Sequence, residues 1–160
     1  MTGGLPRAYG PWLAFEEQLA QRIKGLERAG LSFSGGRQCI PGFPFDGFRA
    51  DAALTDGRNL LAVEVEVRQT HPDTNVGKYW LLREYRLYQK VMLFHVYTPA
   101  YDSYGWRKTL GAFYAQKMSQ DSEFEYVLVD KREAQDLDRT LDEVFDQVRM
   151  AVDVLFASPP

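Results

Sequence analysis

Glutamate alternates with valine in the segment Val63-Glu64-Val65-Glu66-Val67. Alternation of apolar and charged residues with a period of two is typical of a β-strand whose two faces have different surroundings. The three valines are therefore predicted to share one face of a strand, and the two glutamates the other. The segment indicates a sheet-containing fold in which two acidic side chains lie on the same sheet face.

A hairpin is predicted to join this strand to the residues before it. The run 48–54 leads into Asp56-Gly57, one of the strongest short signals for a tight turn, and the run 60–67 follows. Cross-strand partners share a face, so the length of the turn decides where Asp51 points. A two-residue or a four-residue loop places Asp51 on the face of the glutamates, whereas a three-residue loop turns it away.

Three carboxylates on one face require compensation, because like charges this close raise at least one pKa. A hard divalent ion such as Mg²⁺ or Mn²⁺ prefers carboxylate and water oxygens and usually takes one or two protein carboxylates. Asp51 and Glu64 suffice as such ligands. The alternative is a surface cluster in which Arg49 and Arg68 form salt bridges with the acids.

The acids resemble the motif of the PD-(D/E)XK nuclease superfamily. In that motif an Asp ends one strand, and an acid, any residue and a Lys follow in the next strand. Asp51 matches the first position and Glu64-Val65-Glu66 the second, with Glu66 where most members have Lys. Some restriction-type members also have Glu there, and in others the Lys comes from the following helix, where Lys78 stands. The resemblance covers about residues 11 to 130.

The resemblance implies a restriction endonuclease-like core and a Mg²⁺- or Mn²⁺-dependent endonuclease of a restriction, repair or mobile-element system. It implies nucleic acid as the partner, with DNA favoured over RNA, and it is compatible with a homodimer. The implied metal ligands are Asp51, Glu64, the Val65 carbonyl and Glu66, and Lys78 would stabilise charge on the phosphate. With a single metal, Glu66 would instead accept a proton from the attacking water.

Two further groups are candidates on helical geometry. Glu16 borders the apolar stripe of a helix predicted over 11–29, and an acid of the first helix assists metal binding in some members of the superfamily; a charge that favours the helix N-terminus is the alternative. A second helix, predicted over 75–89, has four residues at a spacing that shares one face and suits phosphate binding: Tyr79, Arg83, Arg86 and Lys90. The alternative is that its last cations only favour the helix dipole.

The remaining periodicity completes a mixed sheet. It predicts a short strand near 37–40, a buried strand over 91–97 that includes His95 as a core residue, a strand over 124–129, and helices over 103–119 and 137–156. The apolar side of the 75–89 helix is predicted to include Leu81, Tyr85 and Tyr88. The order of helix, three strands and then strands alternating with helices predicts an α/β fold (an α+β mixed sheet) with helices on both faces.

The length and composition of the chain limit the number of domains and the possible partners. A chain of 160 residues with 45% hydrophobic residues is expected to form one domain over 1–160, with flexible ends at 1–10 and 157–160. The net charge of −3 means that any DNA affinity must be local, and the single Cys39, expected to be buried, excludes an internal disulfide. With no signal peptide and no apolar run of about 20 residues, we expect a cytoplasmic protein without a membrane partner.

Two other functions fit the same sequence. The first is a nuclease-like module that binds nucleic acid without cutting it, since the strand Lys of the motif is absent. The second is a non-enzymatic protein-interaction domain whose acids form salt bridges.

Overall fold

The computed structural model describes residues 9–42, 47–68, 71–101, 105–120 and 123–157. Within these residues, four helices and five strands follow one another along the chain: α1 (Tyr9–Lys24), β1 (Ser32–Gly35), β2 (Ala52–Thr55), β3 (Asn59–Glu66), α2 (Pro72–Glu84), β4 (Lys90–Tyr97), α3 (Gly105–Met118), β5 (Phe124–Asp130) and α4 (Leu137–Leu155). None of these helices is both long enough and apolar enough to cross a membrane.

The five strands form one mixed sheet in the order β1-β2-β3-β4-β5. The pairs β1–β2 and β2–β3 are antiparallel, and the pairs β3–β4 and β4–β5 are parallel. Each parallel connection contains a helix, as parallel neighbours require. The mixed sheet predicted from the order of elements is confirmed.

Helices cover both faces of this sheet. One core joins α1 and α4 to the face that carries Val63 and Val65, and the other joins α2 and α3 to the face that carries Ala62 and Leu93. The period-two alternation of β3 therefore sends its valines towards α1 and α4, and its glutamates towards α2. Glu64 and Glu66 are buried rather than solvated.

The first helix is shorter at its C-terminus than predicted. It runs from Tyr9 to Lys24 rather than over 11–29, because the chain leaves the helix through a tight turn. Arg28 and Leu31 exchange both backbone hydrogen bonds across that turn, and Gly30 between them has φ +80°. Such a reversal is incompatible with a continuing helix.

The strand predicted near 37–40 is wrong. The strand lies earlier, at Ser32–Gly35, where Phe33 pairs with Leu54 of β2. Gly36 then turns the chain at φ +59°, and residues 37–40 are irregular. Ile40 is nevertheless buried, and its N–H donates to the Phe48 carbonyl. Cys39 is exposed, contrary to expectation.

The second helix begins and ends earlier than predicted. Pro72 opens it, a position where the missing N–H costs nothing, and it ends at Glu84 rather than 89. Arg86, with φ +50°, turns the chain towards β4. The predicted apolar side is also wrong, because Leu81 and Tyr85 are exposed and the buried side comprises Pro72, Asp73, Val76, Tyr79 and Leu82.

The later elements agree closely with prediction. The strands predicted over 91–97 and 124–129 and the helix predicted over 137–156 differ from β4, β5 and α4 by one residue at most. Gly105–Met118 lies within the helix predicted over 103–119, whose first residues fall outside the described ones. Of the ends predicted to be flexible, Tyr9 and Gly10 belong to α1, while 1–8 and 158–160 are outside the described residues.

Candidate active site

The β2–β3 hairpin sets Asp51 level with Glu64. Thr55 pairs with Leu60 and Ala52 with Val63, which is the register of the four-residue loop. Asp51 directly precedes Ala52, so its Oδ2 accepts a hydrogen bond of 2.7 Å from the Val65 N–H. The predicted placement of Asp51 beside the acids of β3 is confirmed.

The Val65 carbonyl also faces this edge. In a strand the N–H and C=O of one residue point to the same side, and the Val65 N–H points to Asp51. The next carbonyl, that of Glu66, points the other way and accepts from Thr98. The main chain therefore presents an oxygen beside Asp51, as the proposed ligand set requires.

Two donors from α2 converge on the buried Glu64. Lys78 Nζ lies 2.6 Å from Glu64 Oε1, and the Tyr79 hydroxyl donates a 2.6 Å hydrogen bond to the same oxygen. The Lys78 ammonium also donates to the Arg49 carbonyl at 2.6 Å. The residues at these two adjacent helical positions thus hold one carboxylate oxygen between them.

Burial dominates the titration of the two central acids. It raises the pKa of Glu64 to about 8, an effect that Lys78 opposes and the charge of Asp51 reinforces. Burial also raises the pKa of Asp51, while the Val65 N–H and Lys78 lower it. Desolvation penalises the ionised form of each carboxyl, and the single ammonium does not offset it fully.

Glu66 belongs to a hydrogen-bonded network that the sequence analysis missed. Its Oε1 accepts a 2.8 Å bond from Asn75 Nδ2 and lies 2.6 Å from His95 Nε2, while His95 Nδ1 lies 2.8 Å from the Tyr126 hydroxyl. With His95 as the Nε2–H tautomer, the imidazole donates to Glu66 and accepts from Tyr126, so both contacts are satisfied. Glu66 Oε2 is buried and has no hydrogen-bond partner among the described residues.

His95 is buried, as predicted, but it is a polar contact of the site rather than a passive core residue. The parallel register pairs His95 with Glu64 and Tyr97 with Glu66. Alternation within β4 could have placed His95 on the face of Leu93 and Tyr97. The lateral alignment of β4 with β3 has no sequence signal of its own. The contact of His95 with Glu66 could therefore not be predicted from the sequence.

Glu16 approaches the same acids from α1. It lines a cleft of about 310 Å³ together with Leu13, Asp51, Val65, Val67 and Arg68. Burial raises the Glu16 pKa to about 7, and the charges of Asp51, Glu17 and Glu66 add to the shift. The acid predicted from the first helix therefore lies within electrostatic range of Asp51 and Glu66.

The arginine pairing considered as the alternative differs from what the structure contains. The cation that contacts Glu64 is Lys78, whereas Arg68 places its guanidinium over the Tyr9 ring at 4.7 Å. Arg49 contributes its backbone carbonyl to the Lys78 ammonium. The helix-borne Lys, predicted from the motif, thus reaches the site.

The prediction that four residues share one helical face suited to phosphate binding is wrong. Tyr79 is fully buried and points inwards to Glu64. The helix ends at Glu84, so Arg86 and Lys90 are not on it; Lys90 begins β4 and lies 3.6 Å from Glu125. Arg83 alone of the three cations remains on α2. The prediction extended the helical periodicity past the turn at Arg86.

Among the described residues, no cluster of three or more His, Cys, Asp or Glu side chains is arranged to hold a metal ion. The residues available to a cation are instead the pair Asp51 and Glu64 with the Val65 carbonyl, flanked by Glu16 and Glu66. A pair of carboxylates with water is a common ligand set for Mg²⁺.

Comparison of the chain with protein-family models, with curated proteins and with solved structures finds no match. The function is therefore inferred from the geometry of the site and from the resemblance of its acids to the nuclease motif.

Proposed function

We propose that this protein is a metal-dependent phosphodiesterase that cuts nucleic acid, with DNA as the favoured substrate, and that its sheet and helices form a restriction endonuclease-like core. The observation that carries the proposal is the contact of Lys78 with Glu64 beside Asp51. A hairpin and the helix after it bring together two acids and a cation, the composition that the PD-(D/E)XK motif requires. Here the cation comes from α2, because Glu66 occupies the position in β3 at which most members of the superfamily have Lys.

The acids suit a hard divalent cation. Burial raises the pKa values of Glu16, Asp51 and Glu64, and neighbouring acids add to the shifts, so these carboxyls resist ionisation without added positive charge. The partnerless Glu66 Oε2 costs about 1–3 kcal/mol, which a ligand would offset. Mg²⁺ or Mn²⁺ held by Asp51, Glu64 and the Val65 carbonyl would polarise the scissile phosphate and acidify a bound water.

Among the described residues, Lys78 is the cation that contacts the acids, and this position suits it to act on the phosphate. Its ammonium is half-buried, is held by Glu64 Oε1 and the Arg49 carbonyl, and so needs little reorganisation. A preorganised cation of this kind stabilises negative charge that develops on phosphate oxygens.

Glu66 is the proposed proton acceptor or, with two metals, a second ligand. Asn75 and His95 both engage Oε1, which leaves Oε2 as the free acceptor. The Glu66 charge raises the pKa values of Glu16 and Asp51, so the carboxylate lies near both. None of its side chain is exposed, so Glu66 can act only on a water that enters the buried site.

One observation favours a nucleic-acid-binding module that does not cut. Glu64 Oε1 already has two donors, Lys78 and Tyr79, so this carboxylate has hydrogen-bond partners without a metal. In such a module the acids would be structural, and binding would not depend on Mg²⁺.

A cleavage assay separates these functions. Plasmid DNA, single-stranded DNA, duplex DNA and RNA are incubated with the protein in Mg²⁺, in Mn²⁺ and in chelator. We expect metal-dependent cutting by the wild type and its loss in Asp51→Asn. Asp56→Asn is the matched control, because Asp56 lies on the same hairpin and, within the described part of the chain, accepts hydrogen bonds from the turn residues Arg58 and Asn59.

The negative outcomes are also informative. DNA binding that is unaffected by Mg²⁺, with no substrate cut, would favour the non-cutting module. Absence of both cutting and salt-sensitive binding would favour the protein-interaction domain.

A further inference from the structure

Large aromatic side chains are exposed on the outer surface of the α2–α3 pair. Trp106 is 58% exposed, Phe113 49% and Trp80 39%. The half-buried Tyr114 links two of them, with ring centroids 6.1 Å from Trp80 and 6.3 Å from Phe113. We call these four residues the aromatic patch. Exposed apolar groups of this size gathered in one place are typical of a binding surface.

Cations accompany the aromatic rings. The Arg107 guanidinium carbon lies 4.4 Å from the centroid of the Trp106 ring, and Lys117 Nζ lies 5.6 Å from that of Phe113. Arg107 also pairs with Asp73 at 3.2 Å. The helix α3 carries three basic residues and no acidic one, in a chain whose net charge is −3.

The periodicity of α3 aligns these groups. Trp106, Phe113 and Lys117 stand at i, i+7 and i+11, which places them on one side of the helix. Eleven residues of helix span about 16 Å. The patch is therefore a strip along α3 in which rings and cations follow one another, with Trp80 of α2 beside it.

The strip adjoins the candidate active site through α2. The inner side of this helix carries Lys78 and Tyr79 to Glu64, and its exposed side carries Trp80. A helix with its side chains is about 10–12 Å across. A chain leaving the site needs to cross only this helix to reach the patch.

We infer that the aromatic patch binds the bases of a single-stranded nucleic-acid segment, with Lys117 near its phosphates. The pairing of aromatic rings with cations supports this inference. Bases stack on aromatic faces whatever their sequence, and cations attract the phosphate backbone between the bases. Only a single strand exposes base faces, so a duplex is the poorer ligand. The inference rests on the proposed function for the choice of nucleic acid as the partner.

Intrinsic tryptophan fluorescence tests this directly. The chain has three tryptophans, of which Trp12 is buried in the α1 core and the other two belong to the patch. The probe is oligo(dT) of about 15 nucleotides, within the range of one single-strand site. Chelator is present throughout, so that nothing is cut. We expect the oligonucleotide to quench the fluorescence, and a duplex of equal length to quench it less.

Substitutions locate the binding. Trp80→Leu and Phe113→Leu keep apolar bulk but remove the ring, and each is expected to weaken binding of labelled oligo(dT) by about 5- to 150-fold. Lys117→Gln should lower the salt slope by about 0.7. Met150→Leu, an exposed residue of α4 on the opposite sheet face, is the control and should bind as the wild type does. Thermal melting checks that each variant is folded.

Absence of quenching at low salt, or equal binding by the Leu variants and the wild type, would overturn the inference. Self-association of the wild type that is weakened in the Leu variants, without oligonucleotide binding, would identify the patch as a protein contact instead. Patch-dependent binding without any cleavage in Mg²⁺ would support the inference and contradict the nuclease. Metal-dependent cleavage with patch-independent binding would contradict the inference and support the nuclease.

Discussion

Lys78 Nζ lies 2.6 Å from Glu64 Oε1, so a cation from a helix reaches a carboxylate from the strand before it. Tyr79, the next residue, donates to the same oxygen. A buried Glu with these donors still has a pKa raised to about 8, because burial outweighs them. The Glu64 carboxyl therefore has too little positive charge near it for its burial, and this is the physical reason to expect a metal ion beside it.

Asp51→Asn should leave the metal-free protein as stable as the wild type or more stable. The Asn oxygen can still accept from the Val65 N–H, while removal of the charge relieves Glu16 and Glu64. Thermal melting in chelator at pH 8 measures this, with Asp56→Asn as the control. A loss of more than about 3 kcal/mol would instead identify Asp51 as a structural ion-pair partner.

Stability in chelator should fall as the pH rises. The pKa values of Glu16 and Glu64 rise from 4.5 to about 7 and about 8, so the folded state holds more protons than the unfolded chain between these values. The stabilisation is complete below pH 4.5 and is lost as the pH rises through 7 and 8. Melting curves from pH 5 to 9 test this, and Glu64→Gln should flatten them.

Mg²⁺ should restore stability at the alkaline end of the same series, because the ion binds the ionised carboxyls of the folded state. An unchanged melting temperature at pH 8 with excess Mg²⁺ would argue against a metal site at Asp51 and Glu64.

Lys78→Met should slow cleavage by about 10²–10³ if the ammonium acts on the phosphate. It should also raise the Glu64 pKa further, since Lys78 now lowers it. DNA binding should weaken modestly at low salt. Single-turnover rates measure the first effect, with Lys24→Met, an exposed residue at the end of α1, as the control. An undiminished rate would remove Lys78 from the mechanism.

Glu66→Gln should cost roughly 10²–10⁴ in cleavage rate while DNA binding persists, if Glu66 accepts the proton of the attacking water. The Gln carbonyl can keep the contacts with Asn75 and His95. Cleavage rates and binding are measured side by side. A rate close to that of the wild type would leave Glu66 with a structural role only.

His95→Phe should destabilise the protein by about 1–3 kcal/mol, because it removes one hydrogen-bond donor from the buried Glu66. Tyr97→Phe is the matched control, since the Tyr97 ring packs on His95 at 4.7 Å while Glu66 and Tyr126 engage the imidazole nitrogens. Urea unfolding gives both values. A loss under about 1 kcal/mol would show that Asn75 alone satisfies Glu66.

Local rules went far in the acidic part of the site. Alternation with period two put Glu64 and Glu66 on one face, and two of the three plausible hairpin loops brought Asp51 to that face; the structure selected the four-residue loop. These relations span one hairpin, whose geometry is set by the turn and the pleat. The same rules failed at Tyr79, where helical periodicity was extended beyond Glu84 and an inward residue was assigned to an outward face.

The sequence by itself determined the faces of β3, the order of the strands and helices, and the presence of a cation in the helix after the acids, because each follows from periodicity or from neighbours along the chain. Only the tertiary structure decided the contact of His95 with Glu66, the hydroxyl of Tyr126 behind it, and the ends of α1 and α2. These depend on lateral strand register and on where the chain must turn to pack against the sheet. Both are set by the burial of distant residues against one another, which no local pattern encodes.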